Sequence, residues 1–204
     1  MTGIVLVHGK AKDTLQRNIT TFHSWCDSYE FICPCDDPLE GYNNVILSGL
    51  SQHNGLDTVE RMRLACERAA LYKNAIIVEY DTMLFDNPPI AKDNILYSCG
   101  PFPDNNKRFK AKWWSHSPWL TTQEDFYRLS QCDSAKLESA FPDRWIAAAC
   151  DECNITPVDF SRWWSRNSID TPQYEKSAIE AKQNGAIAIH GVKTERVFNM
   201  LMNA

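Results

Sequence analysis

No apolar run in this 204-residue chain approaches the roughly 20 residues that a membrane span needs, so no membrane partner is expected. The first residues, Met-Thr-Gly-Ile-Val-Leu-Val-His-Gly, lack the basic region and long apolar core of a secretory signal. Positive charge is also scarce. Lysine and arginine number 21 against 26 acidic residues, a net charge of −5. That argues against a generally basic nucleic-acid binder while leaving room for a local basic patch. Neither a G-x-x-x-x-G-K-[ST] phosphate loop nor a G-x-S-x-G nucleophile turn is present, which argues against a generic nucleotide-binding α/β hydrolase. Internal repeats, low-complexity segments and dividing linkers are missing too. A single domain over 1–204 is expected, long enough for one substantial core.

What is present is an ordinary globular composition, 44% hydrophobic and 23% charged, with eight cysteines. Without a secretory signal, reduced thiols are expected, and with them a soluble cytoplasmic protein, in the host cytoplasm if the chain is viral. Cys150-Asp-Glu-Cys153 has a metal-like spacing and Cys33-Pro-Cys35 is a second close pair. Zinc, however, needs a matched set of four ligands in a turn-rich setting. Cys150 instead ends the helix-like run Trp145-Ile-Ala-Ala-Ala, so these cysteines read as buried structural thiols.

Apolar patterning places strands at 3–8, Tyr29–Cys35, Asn44–Ser48 and Ala75–Val78, the last an unalternating run of the kind buried on both faces. Helical spacing through Leu15, Ile19, Phe22 and Trp25 predicts a helix ending near Asp27. Asp57-Thr58-Val59-Glu60 predicts a capped helix that runs to Tyr72, after the polar loop Gly49–Gly55. Residues 87–110 hold four of the ten prolines and read as loop around a strand-like Asn94–Cys99. Further helices are expected at Thr122–Gln131, Arg144–Cys153 and Gln173–Asn184, the last stopped by Gly185. A final strand at Ala186–His190 and a helix at Thr194–Met202 complete the chain. Such alternation implies an α/β fold, a mostly parallel sheet flanked by helices.

Glu79-Tyr80-Asp81 closes the Ala75–Val78 strand with an acidic pair at i and i+2, on the same side of an extended chain. Ligands sit at the carboxyl edge of open α/β sheets, and a hard divalent cation holding a diphosphate needs oxygen ligands. Three further segments follow in order. They are Ser115-His-Ser-Pro-Trp-Leu-Thr121, Phe141-Pro-Asp-Arg-Trp-Ile-Ala147 and Ile189-His-Gly-Val-Lys193. Taken together they resemble the spaced motifs of GT-A glycosyltransferases, small and stand-alone here and similar to virus-type members. The resemblance spans nearly the whole chain. It implies a Rossmann-like sheet, with residues 1–100 as the nucleotide-sugar and metal half and 101–204 as the acceptor half.

The resemblance implies a transfer from a nucleotide diphosphate sugar, UDP-sugar by default, to an acceptor hydroxyl on a glycan, a protein or a hydroxymethylated pyrimidine in DNA. Mn²⁺ or Mg²⁺ would neutralise the leaving diphosphate. Asp81 and His190 match the family's metal ligands, and Glu79 stands where the family prefers Asp, as a metal ligand or a sugar or ribose contact. The His190 imidazole would favour Mn²⁺ over Mg²⁺. Read on its own, His190 is equally a strand-end histidine bonded to backbone. Asp143 matches the family's catalytic base, which would make transfer inverting, and Pro142-Asp143 also suits a helix start. Nucleotide-sugar contacts are expected from Val7, His8, Gly9, Lys10, Arg61, Glu79, Tyr80 and Lys193, and from Asp36 and Asp37, an acid pair that is also common turn chemistry.

The acceptor side is expected at Ser115–Thr121, matched to the family's acceptor loop, and at the basic-aromatic tract before it. Its candidates are Lys110, Lys112, Trp113, Trp114, His116, Ser117 and Trp119. Alternating cations and rings suit phosphates and stacked bases, and ring faces also bind sugars. Arg162-Trp-Trp-Ser-Arg166 repeats the mixture. The same tryptophans would equally serve as core packing. A different class of function, a non-catalytic module that binds a nucleotide, carbohydrate or DNA on this fold, is the alternative.

Overall fold

The computed structural model describes residues 1–49, 55–103, 112–133, 141–160 and 171–204. Four strands pair in parallel. They are β1 (Thr2–Leu6), β2 (Ser28–Pro34), β3 (Val45–Ser48) and β4 (Ala75–Glu79). Alternation explains why they need cover on both sides. Ile4 and Leu6 of β1 and Ile77 of β4 join one buried cluster, while Val5, Val7, Ile76 and Val78 join another on the opposite face. The first cluster is covered by α2 (Gly55–Ala69), α3 (Gln123–Ser130) and α4 (Pro142–Cys153), through Met62, Phe126 and Trp145 among others. The second is covered by Leu15 of α1 (Lys12–Asn18) together with Phe22 and Trp25. The expected α/β architecture, a mostly parallel sheet with flanking helices, is what the chain adopts.

Beyond β4 the sheet turns mixed. β7 (Trp113–Leu120) runs antiparallel to β4 and to β6 (Ile95–Pro103), and β8 (Thr156–Asp159) runs parallel to β6. The seven strands lie in the order β3-β2-β1-β4-β7-β6-β8. A separate two-stranded ladder joins β5 (Thr82–Leu84) to β9 (Ala188–His190). It packs under α5 (Pro172–Gln183) and α6 (Glu195–Met202), with Met83, Ala178, Ile189, Val197 and Leu201 in a third cluster. No helix among the described residues is long and apolar enough to cross a membrane.

Several expectations change. The segment Ser115–Thr121 is no acceptor loop but most of β7, a strand inside the sheet. Pro118 hid it, because proline cannot donate to a ladder. Two residues past the Ile77–Trp119 pair, the Glu79 amide donates to the Ser117 hydroxyl at 2.7 Å. The single helix expected around Leu15–Trp25 is broken into a 3-10 turn, α1 and a second 3-10 stretch over Ile19–Ser24. The hydroxyls of Thr20, Thr21 and Ser24 each donate to the carbonyl three residues back, at 2.7, 2.7 and 3.1 Å. Such back-bonds compete with regular helix and favour the tighter turn. β5 and β8 also lacked a sequence signal, being too short for periodicity to register.

All eight cysteines are free, and the Cys132 and Cys153 sulfurs lie 3.4 Å apart where α3 and α4 end. Cys150 is fully buried inside α4, and burial pushes its thiol far above the ordinary range.

Between α2 and β2 lies a part-buried charge network. Arg68 of α2 grips Glu30 of β2 with two nitrogens at 2.9 and 2.7 Å, and the Tyr72 hydroxyl donates to the same carboxylate at 2.6 Å. Arg68 first, and Tyr72 with it, hold the Glu30 carboxyl below the usual range although burial opposes this. A depressed folded-state pKa gives stability that is complete above the unfolded value of about 4.3 and is lost as pH falls through the lower folded value. Glu30→Gln is therefore expected to destabilise the fold by about 1.5–3 kcal/mol at neutral pH, with the difference shrinking in acid. Urea denaturation across pH measures both.

Candidate functional site

The carboxyl end of β4 enters a tight connection to β5, so Glu79, Tyr80 and Asp81 leave the sheet together. Tyr80 stays tied to the neighbouring strand, its amide donating to the Leu6 carbonyl at 3.1 Å. Antiparallel pairing of β5 with β9 sets Thr82 opposite His190. That register, created by two strands more than a hundred residues apart in sequence, delivers the imidazole to the acids. His190 Nε2 lies 2.9 Å from Glu79 Oε2 and 3.2 Å from Asp81 Oδ1. Lys193 Nζ stands 3.7 Å from the other Asp81 oxygen.

Two side chains lock this arrangement. Asn18 Nδ2 donates to the Tyr80 carbonyl at 3.0 Å and to the Val192 carbonyl at 2.8 Å, bridging the loops after β4 and β9. The Val192 amide donates back to the Asp81 carbonyl at 2.7 Å. On the other side, the Ser117 hydroxyl meets both the Glu79 amide, at 2.7 Å, and the Thr82 hydroxyl, at 2.8 Å. Next to Ser117 in β7, His116 stacks on His190 with ring centroids 4.4 Å apart and planes at 18°. Register shifts on either side of the Cys99–His116 pair show that β6 and β7 are irregular there, and such irregularities re-aim side chains.

Glu79, His116 and His190 each offer one ligand atom, and these atoms all lie within 4.8 Å of one another. This buried group could hold a metal ion. Its donors, two imidazoles and a carboxylate, suit a divalent cation. Asp81 falls outside the group although it touches His190.

Charge in the cluster follows from its neighbours. Burial opposes a proton on His190, but Asp81 and then Glu79 outweigh it and raise its pKa to about 10. Burial likewise opposes the charge on Asp81, and His190 and Lys193 overcome it to hold the carboxyl below its ordinary range. Burial and the adjacent His190 push His116 down to about 2, so that ring is neutral. Asp143, in the first turn of α4, is raised to about 6 by burial and by Glu79. It is not the helix cap, a position taken by Phe141, but its Oδ1 accepts from the Arg144 amide at 3.0 Å.

A pocket of about 140 Å³ opens beside the cluster, lined by Val7, His8, Arg61, Glu79, Tyr80 and Pro142 among the described residues. A cavity near 150 Å³ is enough for a benzene-sized guest. Its floor is the loop after β1. His8 Nδ1 lies 3.3 Å from Asp37, and the amides of Gly9 and Lys10 donate to Asp37 at 2.8 and 3.3 Å. A Cβ on Gly9 would sit 2.5 Å from the Pro38 carbonyl oxygen, so glycine alone allows the two loops to close. Asp37 thus organises the loop, while Asp36 and the Lys10 side chain are exposed.

Of the expected acceptor residues, Trp113, Trp114, Ser117 and Trp119 are corrected to interior side chains. Trp119 is fully buried with its indole donating to Ser115 at 3.0 Å, and Trp113 donates to Asp151 of α4 at 3.1 Å. Trp114 packs 4.9 Å from both Phe102 and His116, and Lys112 is exposed. Lys110 and the Arg162–Arg166 tract lie outside the described residues. Asn18, Thr82 and the ladder that places His190 carried no signal in the sequence.

Asn18→Ala would strand two carbonyls that hold the site loops together, and a loss of about 2 kcal/mol is expected from thermal or urea unfolding. An unchanged midpoint would show the bridge to be dispensable. No protein-family model matches the chain and no curated protein sequence matches it, so its function rests on the geometry of this site.

Proposed function

We propose that the chain is a metal-dependent glycosyltransferase of GT-A type, moving a sugar from a nucleotide diphosphate sugar, UDP-sugar first, to an acceptor hydroxyl. The observation that carries this reading is the adjacency of two features at one sheet edge. An acid–imidazole group suited to Mn²⁺ or Mg²⁺ shares Glu79 with a ring-sized pocket that presents Arg61 and His8. A diphosphate bridging those two features would meet cations at one end and room for a planar group at the other. The carboxyl ends of β1 and β4 are also where ligands of open α/β sheets are held.

A divalent cation bound at Glu79, His116 and His190 would supply charge neutralisation to the leaving diphosphate. The chain's own groups account for the rest. Lys193, exposed and 3.7 Å from Asp81, would meet a phosphate oxygen. Arg61 offers a second cation from α2. Asp143 is the base for the acceptor hydroxyl. Burial and the neighbouring Glu79 raise its carboxyl to about 6, within the range in which a carboxylate is ionised at neutral pH yet accepts a proton readily. Attack assisted from a separate base inverts the anomeric centre. The acceptor is a glycan, a protein or a hydroxymethylated pyrimidine in DNA. Its approach would cross His116 and the exposed Lys112, because Trp113, Trp114 and Trp119 are interior.

The test is a panel of nucleotide sugars incubated with the protein and Mn²⁺, followed by mass analysis of candidate acceptors. Release of UDP from a UDP-sugar, abolished by chelation, is expected. Asp143→Asn should lower transfer by about 10²-fold or more while leaving donor affinity within a few fold. Metal-loaded protein that turns over no donor in the panel would contradict the transferase reading.

A further inference from the structure

We propose that the metal centre is a two-histidine, one-carboxylate site built from Glu79, His116 and His190, with Asp81 as an outer partner and not a ligand, and that it selects Mn²⁺ and other nitrogen-accepting ions over Mg²⁺. The inference deepens the metal half of the reading above and does not depend on sugar transfer.

Three elements supply the three donors. Glu79 ends β4, His116 lies within β7 and His190 ends β9. Each is fixed by strand pairing rather than by a loop, which is the condition for a site formed before its ion arrives. The Ser117 hydroxyl ties β7 to the Glu79 amide at 2.7 Å, so the strand carrying His116 is bound to the residue that carries the carboxylate. Stacking at 4.4 Å fixes the two rings against each other. The donor atoms of the three residues fall within 4.8 Å of one another.

A second observation concerns His190. Its Nε2 faces the carboxylates of Glu79 and Asp81, at 2.9 and 3.2 Å, while Nδ1 is buried without a hydrogen-bond partner among the described residues. Buried polar atoms are ordinarily satisfied, and metal-binding histidines ordinarily keep a carboxylate against the ring to orient it. Asp81 fits the orienting role. It is 3% exposed, one oxygen lies against His190, and the other is drawn to Lys193 at 3.7 Å. An ammonium beside a carboxylate reduces what that carboxylate can offer a cation. Two nitrogens and one oxygen suit Mn²⁺, Fe²⁺, Co²⁺ or Zn²⁺, whereas Mg²⁺ requires an octahedral shell of oxygens.

The experiment uses the full chain, stripped of metal and loaded with Mn²⁺ alone, with no donor or acceptor present. Pulsed electron paramagnetic resonance counts coordinated imidazole nitrogens, and calorimetry gives the affinities for Mn²⁺ and Mg²⁺. Two imidazole nitrogens are expected in the unmutated protein, with Mn²⁺ bound at least tenfold more tightly than Mg²⁺. His116→Asn should remove one nitrogen signal and weaken Mn²⁺ at least tenfold, while Asp81→Asn should keep both signals. One nitrogen in the unmutated protein, or equal affinity for the two ions, would overturn the proposal without any variant needing to fold. Loss of Mn²⁺ binding in a folded Asp81→Asn protein would do the same by making Asp81 a ligand. A protein with the two-nitrogen site that transfers no sugar would contradict only the transferase reading.

Discussion

A histidine buried between two carboxylates is the constraint on which this structure turns. His190 is held by Glu79 and Asp81, and the buried charge of Asp81 depends on it and on Lys193. The three residues come from the ends of two strands that belong to different sheets, so the cluster also determines how those sheets meet. Backbone bonds reinforce the meeting. Asn18 bridges the Tyr80 and Val192 carbonyls, and the Val192 amide answers to Asp81. Electrostatics and hydrogen bonding therefore specify one geometry at a point where hydrophobic packing alone would leave the small β5–β9 ladder free to slide.

Packing supplies the platform beneath that cluster. β1 and β4 are apolar on both faces, which forces helices onto both sides and leaves the carboxyl edge as the place where polar groups can gather. The same edge receives the His8–Asp37 loop, the first turn of α4 with Asp143, and Arg61 from α2. A site made this way has an acid–imidazole cluster that could hold a metal ion, with Arg61 lining the pocket beside it.

The sequence was most legible where local physics decides the outcome. Apolar patterning marked β1, β2 and β4, and the expected helices at Thr122–Gln131 and Thr194–Met202 match α3 and α6, each capped by its threonine. Gly185 indeed takes a left-handed conformation after α5, at φ 79°. The acid pair, His190 and Asp143 were all visible as candidates. What escaped depends on partners distant in sequence. β7 contains a proline and two serines, and only burial of Trp113 and Trp119 against the helices identifies it as a strand. A loop reading of Ser115–Thr121 puts His116 on the acceptor side and hides its place beside His190. The relative standing of the two acids was equally out of reach, because it depends on Lys193 lying against Asp81 and on Glu79 grouping with His116 and His190.

The most direct measurement is anomalous diffraction at the manganese edge from crystals grown with Mn²⁺. A single strong peak coordinated by Glu79, His116 and His190, beside the pocket that contains Arg61, is the result the account predicts. A peak bound through Asp81 without His116, or no peak at this edge of the sheet, would contradict it.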